Sequence, residues 1–264
     1  MKAIDFEYDS IRLSDFGMML ANFDNGGIDT VNFPEITFNT VSSQGGIRHY
    51  LTSAQYDDCA TFTLQICKNL CDGSTFEISL QELDDLARWL NRKSFHKFRL
   101  IEDDYSGISC NASFNISKIQ MDGRIIGIEL EGVTDSPFMQ RDPVTITFDM
   151  DPGVVKDIYN KSDLEGSIYP NLEILIKEDG DFKMKNLFDG REMIIKNCTS
   201  QEVITIDYPM IFSSIPSHNK VIMNNFNWVF LKLNSTFKNR LNEFTVSLPC
   251  TIKIEYSPIV KVGI

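Results

Sequence analysis

Apolar and polar residues alternate at period two along most of this chain, and at helical spacing in one place. The exception is Phe76 to Leu90, FEISLQELDDLARWL. Ser79 and Glu82 stand in the S-x-x-E relation of a capping box, which satisfies two orphan backbone donors at a helix start. Leu83, Leu86, Ala87 and Leu90 then recur on one face, with Glu82, Asp84, Asp85 and Arg88 off it. The pattern predicts a helix over 79–91, with Trp89 packed on a sheet and an acidic face left to solvent. Around it the signals are those of strands. Ile4, Phe6 and Tyr8 alternate, as do Ile11 and Leu13 beyond the turn-prone Asp9-Ser10. Strands are also expected at Phe33–Val41, Thr61–Cys67, Phe95–Ile101, Ser109–Ile119 and Gly127–Val133. Asn25-Gly26-Gly27 and Gln44-Gly45-Gly46 read as turns, and Asp122-Gly123 as a hairpin turn.

Asp135 to Pro143, DSPFMQRDP, holds two prolines among polar residues and is the predicted linker. It divides the chain into 1–138 and 139–264. Short strands follow at Thr145–Met150, Asn171–Ile176, Asp181–Met184, Glu192–Ile195, Val203–Ile206, Phe226–Leu233, Asn242–Val246 and Cys250–Tyr256. Asp179-Gly180 and Asp189-Gly190 are expected to turn hairpins between neighbouring runs. The expected fold is mainly β. A sandwich or barrel-like first domain carries one inserted helix, and the second domain is a β-sandwich or jelly roll.

The totals sharpen this picture. At 264 residues the chain is long enough for two buried cores. No apolar run approaches the roughly 18 residues of a membrane span, so no membrane association is expected. The opening MKAIDFEYDS is too acidic for a signal peptide, so the mature protein is expected to begin here and to be made in a cytoplasm. Net charge is −12, and residues 1–138 hold 11 basic and 21 acidic side chains. That balance argues against a nucleic-acid partner, whose binding needs clustered Lys and Arg. Cys59, Cys67, Cys71, Cys110, Cys198 and Cys250 lack the spacing of a disulfide framework or a zinc site and read as buried free thiols.

Candidate chemistry is sparse. His49, His96 and His218 sit in no recognisable catalytic context. No nucleophile elbow or phosphate-binding loop occurs. The acidic runs Asp57-Asp58, Asp84-Asp85 and Glu102-Asp103-Asp104 read as solvated faces; sequence neighbours on a strand point to opposite sides, which makes poor catalytic pairs. No catalytic residue, metal or cofactor is therefore expected. Trp228, in NNFNWVFLKL, supports two readings. With Phe226 and Phe230 it shares a strand face that would fill a core. Alternatively, flanked by Asn225 and Asn227, it is a sugar or partner contact of a lectin-like sandwich.

The order of elements resembles the distal tail proteins of long-tailed phages, or prophages, of Gram-positive bacteria. Ile11 to Leu20, IRLSDFGMML, is similar to the family's opening strand and turn, and Gly45-Gly46 to its glycine loop. Most specific is Leu80 to Asp104: a helix ending in Trp89-Leu90, a short loop, and a strand, Leu100 to Asp104, running into an acidic turn. Gly127 to Val133 with Ser136-Pro137-Phe138 resembles the close of the family's first domain. Pro170-Asn171-Leu172, Asn242-Glu243-Phe244 and Ile252 to Tyr256 resemble strands of its galectin-like domain. Where the family often has Pro-Gly before the penultimate strand, this chain has Asn239-Arg240-Leu241. The resemblance implies a structural protein of the virion tail tip and no enzyme. It implies a homo-hexameric ring made by the first domain, joining the tail tube protein to the tail-tip hub, or tail-associated, protein. The outward galectin-like domain would hold a receptor-binding protein or a host glycan. The rivals are a carbohydrate-binding adhesion module and a cell-wall hydrolase.

Overall fold

The computed structural model describes residues 5–23, 36–42, 47–56, 59–69, 75–103 and 106–261. The expectations placed on Asn25–Gly27, Gln44–Gly46, Phe33 and Pro34, Asp57-Asp58, Cys71 and Asp104 lie outside these residues. The chain forms two compact units, Met1–Arg141 with Val260–Ile264, and Asp142–Ile259.

The first unit contains β1 (Asp5–Tyr8), β2 (Ile11–Arg12), a 3₁₀ turn (Leu13–Phe16), β3 (Met18–Ala21), β4 (Ile36–Ser42), β5 (His49–Tyr56), β6 (Thr61–Lys68), α1 (Leu80–Leu90), β7 (His96–Ile101), β8 (Ile108–Met121), β9 (Arg124–Thr134) and β10 (Met139–Arg141). Its main sheet runs β2-β1-β7-β8-β9-β6-β3, and β10 pairs with β8. The outermost strands β2 and β3 are joined by the 3₁₀ turn alone. A linker of a few residues reaches at most about 20 Å, so the sheet curls back toward itself in a barrel-like form. Asp122 and Gly123, both at positive φ, turn the β8–β9 hairpin, as the right-handed twist of the flanking strands favours.

Helix α1 begins as its cap dictates. Ser79 Oγ accepts from Glu82 N, and the Glu82 carboxylate accepts from Ser79 N at 2.8 Å. Leu83, Leu86, Trp89 and Leu90 are buried in the core of the sheet. Trp89 stacks on Phe6 and Phe16, and its Nε1 donates to the Tyr8 carbonyl at 3.1 Å. The acidic face is less open than expected, because Lys68 pairs with Glu82 at 2.9 Å and Asp85 pairs with Arg88. Burial works to raise the Glu82 carboxyl, but the bonds from Lys68 and Ser79 outweigh it and hold it below the ordinary value.

The second unit contains β11 (Val144–Met150), β12 (Lys156–Tyr159), β13 (Gly166–Ile168), β14 (Asn171–Ile176), β15 (Gly180–Asn186), β16 (Glu192–Cys198), β17 (Val203–Asp207), β18 (Met210–Ser213), the one-turn helices α2 (Pro216–Asn219) and α3 (Ile222–Asn225), β19 (Leu233–Ser235), β20 (Leu241–Val246) and β21 (Cys250–Tyr256). Sheets β11-β21-β14-β17-β18 and β12-β20-β15-β16 bury alternate residues in one shared core, which is a β-sandwich. From the first sheet come Ile174, Ile204 and Ile252, and from the second Phe182, Met184, Ile195 and Phe244. Strand β22 (Ile259–Val260) follows, and Val260 is buried in the core of the first unit.

Three expectations are corrected. Asp179-Gly180 turns no hairpin: β14 pairs with β17 and β21, while β15 pairs with β16 and β20, so the chain changes sheets there. Asp189-Gly190 does turn the β15–β16 hairpin. The Asp135–Pro143 linker is partly structured, because Gln140 and Arg141 pair with Ser109 and Ile108 and Met139 is buried. Phe226–Leu233 is no strand, for a reason found in the loop itself.

Candidate functional site

The loop after α3 is shaped by one side chain. Asn227 Oδ1 accepts from Ile194 N at 3.0 Å and from Val229 N at 3.2 Å, and its Nδ2 donates to the Glu192 carbonyl at 2.9 Å. These bonds imitate a strand pairing against β16 and free the backbone to turn. Trp228 takes the left-handed conformation, φ 59°. For a bulky side chain that is a conformational outlier. The turn breaks period two: Phe226 and Phe230 are both buried, and Trp228 is 55% exposed. The expected core position of Trp228 is therefore wrong.

Trp228 continues an aromatic row. Its ring lies 6.5 Å from Phe230, Phe230 meets Tyr208 edge-on at 5.1 Å, and Tyr208 stacks on Tyr169 at 3.9 Å. Lys232 Nζ sits 4.9 Å over the Tyr169 ring. Tyr208 is half-exposed like Trp228. Asn225, at the end of α3, is half-buried. Of the three residues singled out by sequence, Trp228 thus faces solvent and Asn227 shapes the loop that presents it. Tyr208 and Tyr169 carried no sequence signal, since they reach the row through separate loops.

A buried polar cluster also escaped the sequence. Glu202 is fully buried; one carboxylate oxygen accepts from Thr199 N at 2.9 Å. The other accepts from Ser213 Oγ and lies 2.5 Å from His218 Nδ1. Serine and histidine meet the same oxygen instead of each other, which is not the relay of a nucleophile and its base. The cluster ties β17, β18 and α2 together. His218 is thus buried, although its sequence context is polar. In the first unit, Glu102 and Asp103 line a cavity of about 270 Å³ with Arg99 and Ser106. Among the described residues no group of three or more His, Cys, Asp or Glu is placed to hold a metal ion.

The thiols follow their surroundings. Cys59, Cys67, Cys110, Cys198 and Cys250 are free. Burial pushes Cys110, Cys198 and Cys250 each up to about 12. Cys59 is exposed, contrary to the expectation of burial.

No curated protein matches the chain in sequence. The solved structure of the SPP1 Dit protein (gp 19.1), described as a paradigm of the hub adsorption apparatus in phages infecting Gram-positive bacteria, is similar in fold. Its TM-score is 0.69 at 11% identity, over 97% of this chain and 99% of that one. Two family models match in sequence: residues 1–136 fit a phage tail protein N-terminal domain, and residues 138–256 a phage tail C-terminal domain. Both halves being accounted for, this chain belongs to the phage tail protein family defined by those two domains, and it is a structural component of the virion tail.

Proposed function

We propose that this protein is the distal tail subunit of a phage tail tip. It forms a hexameric ring that joins the tail tube protein to the tail-tip hub, or tail-associated, protein. The observation that carries this reading is the fold likeness to a hub adsorption protein over nearly the whole of both chains. Residues 1–138 make the ring, and residues 139–264 project toward a receptor-binding protein. A ring needs a heterologous interface that closes by rotation, so each subunit presents two different patches. The −10 balance of residues 1–138 makes a negative lumen, which repels passing DNA. Electron microscopy of the purified protein tests the ring. Closed rings of about six subunits are expected, and a monomer at every concentration overturns the proposal. A positive lumen in the reconstructed ring overturns the charge argument alone.

A second reading is favoured by the strained, half-exposed Trp228, which Phe230 links to the half-exposed Tyr208. Such a presented aromatic face suits stacking against a sugar ring, which makes the second unit a carbohydrate-binding module for host glycans. Glycan binding lost in Trp228→Ala, with melting unchanged, is the expected result. Absence of glycan binding by the wild-type protein would leave the surface to a protein partner.

A further inference from the structure

A serine, a histidine and an aspartate come together in the first unit, where β1 ends and β7 begins. Asp9 N donates to the Lys97 carbonyl at 2.9 Å, which carries the β1–β7 pairing one step beyond Tyr8 and Phe98. Asp9 and Ser10 then turn the chain at positive φ. This places the Asp9 carboxylate beside His96, the first residue of β7, with Oδ1 3.6 Å from Nδ1. At the other nitrogen of the ring, Ser94 Oγ lies 2.8 Å from Nε2.

Several elements brace the arrangement. Tyr8 meets the His96 ring edge-on at 5.7 Å. Arg92 Nη1 donates to the second Asp9 oxygen at 2.8 Å, and its guanidinium lies 4.9 Å over the Tyr8 ring. Ser113 Oγ on β8 donates to the Arg92 carbonyl at 2.6 Å, holding the loop that carries Ser94. The Arg92 bond above all keeps the Asp9 carboxyl below its ordinary 3.8, so it is a carboxylate at neutral pH. A carboxylate facing Nδ1 favours the Nδ1–H tautomer, which leaves Nε2 to accept the Ser94 proton. Serine, histidine and carboxylate thus stand in series as nucleophile, base and orienting group. The 3.6 Å step is longer than a hydrogen bond, as such steps often are before substrate binds. In the Glu202 cluster, by contrast, serine and histidine meet one shared oxygen.

Ser94 and Phe95 are exposed, which leaves the nucleophile open to a small substrate. Arg92 Nε and Nη2 are buried and do not reach a developing oxyanion. The device offers base catalysis, worth about 10²–10⁴-fold, which suits esters with a good leaving group. We infer that Ser94 is an activated nucleophile that takes short acyl groups from esters, with His96 as general base and Asp9 positioning it. Ser94 Oγ attacks the carbonyl carbon while His96 Nε2 takes the hydroxyl proton. The ester C–O bond then breaks and that proton leaves with the alcohol, so Ser94 carries the acyl group. Water releases it as the carboxylic acid by the same proton path and restores Ser94. Nothing in this chemistry depends on ring assembly.

The test exposes the full chain to p-nitrophenyl acetate and quantifies acetylated serines by peptide mass spectrometry. An acetylated serine is a poorer acyl donor than the aryl ester, so the adduct accumulates. Ser94 is expected to react at least about 100-fold faster than the exposed Ser217, at a rate that rises with pH through one titration. His96→Gln should bring Ser94 down to the rate of Ser217. Asp9→Asn should slow Ser94 and displace the pH midpoint of its acetylation, which a residue that only braces the turn would leave in place. Thermal melts show that each variant is folded, and the comparison of Ser94 with Ser217 in the wild type needs no variant. Ser94 reacting no faster than Ser217, or undiminished in folded His96→Gln, overturns the inference.

Discussion

Trp89 lets the packing of helix against sheet be tested in two graded steps. Its indole is 6% exposed, stacks on Phe6 at 5.7 Å and on Phe16 at 4.6 Å, and donates to the Tyr8 carbonyl. Trp89→Ala removes ring and bond together and costs about 3–5 kcal/mol. Trp89→Phe keeps a ring in the stack but removes the indole N–H, at about 1–2 kcal/mol. In a domain of about 150 residues each kcal/mol lowers Tm by about 2–4 °C. The first-unit transition should therefore fall by about 6–20 °C in Trp89→Ala and by about 2–8 °C in Trp89→Phe. Differential scanning calorimetry of the full chain measures both. Fluorescence assigns the transitions, because the chain has two tryptophans, one buried in the first unit and one exposed in the second. Equal destabilisation by the two variants would refute ring packing as the dominant contribution, and a Trp89→Ala protein melting like the wild type would refute the assigned burial.

Three further outcomes are expected. Native thiol labelling mapped by mass spectrometry should modify Cys59 quickly and leave Cys110, Cys198 and Cys250 untouched until the chain is unfolded, since burial holds those three protonated. Asn242→Ala should destabilise the second unit by about 3 kcal/mol or more in urea, because the buried Asn242 side chain serves Asn234 N, Asn234 O, Arg240 O and Asn186 Nδ2. The Arg92 bond holds the Asp9 carboxyl below its ordinary 3.8; a depressed native value gives stability that is present above 3.8 and lost as pH falls through the native value. Arg92→Gln should therefore flatten the acid limb of the first unit's stability curve, by a small amount because the pair is exposed, as read from urea midpoints between about pH 6 and about pH 3.

Much of the fold was legible because local chemistry and tertiary need agree. Ser79 with Glu82 announces α1, and strands such as β14 and β21 alternate cleanly because each has one buried face. The failures have separate causes. His49–Tyr56 does not alternate: a bulge opposite Asn39 and Thr40 shifts its register, and neither face meets the core. Phe226, Trp228 and Phe230 satisfy period two without being a strand, because the side chain of Asn227 supplies the pairing a ladder would have made. Asp179-Gly180 carries hairpin chemistry at a crossing between sheets, and the turn residues are the same for both. Glu202 and His218 lie far apart in sequence; only the tertiary fold brings the acid under the helix that holds the histidine.

The return of Val260 to the first core has a consequence for the order of folding. Domains made early in synthesis usually fold early. Here the first unit lacks Val260, which is 1% exposed and packed in its core, until the whole second unit has left the ribosome. The sandwich can therefore mature while the domain that precedes it is still missing a piece of its interior. A chain that stops after Tyr256 would retain every strand of the sandwich and leave a hole in the other domain.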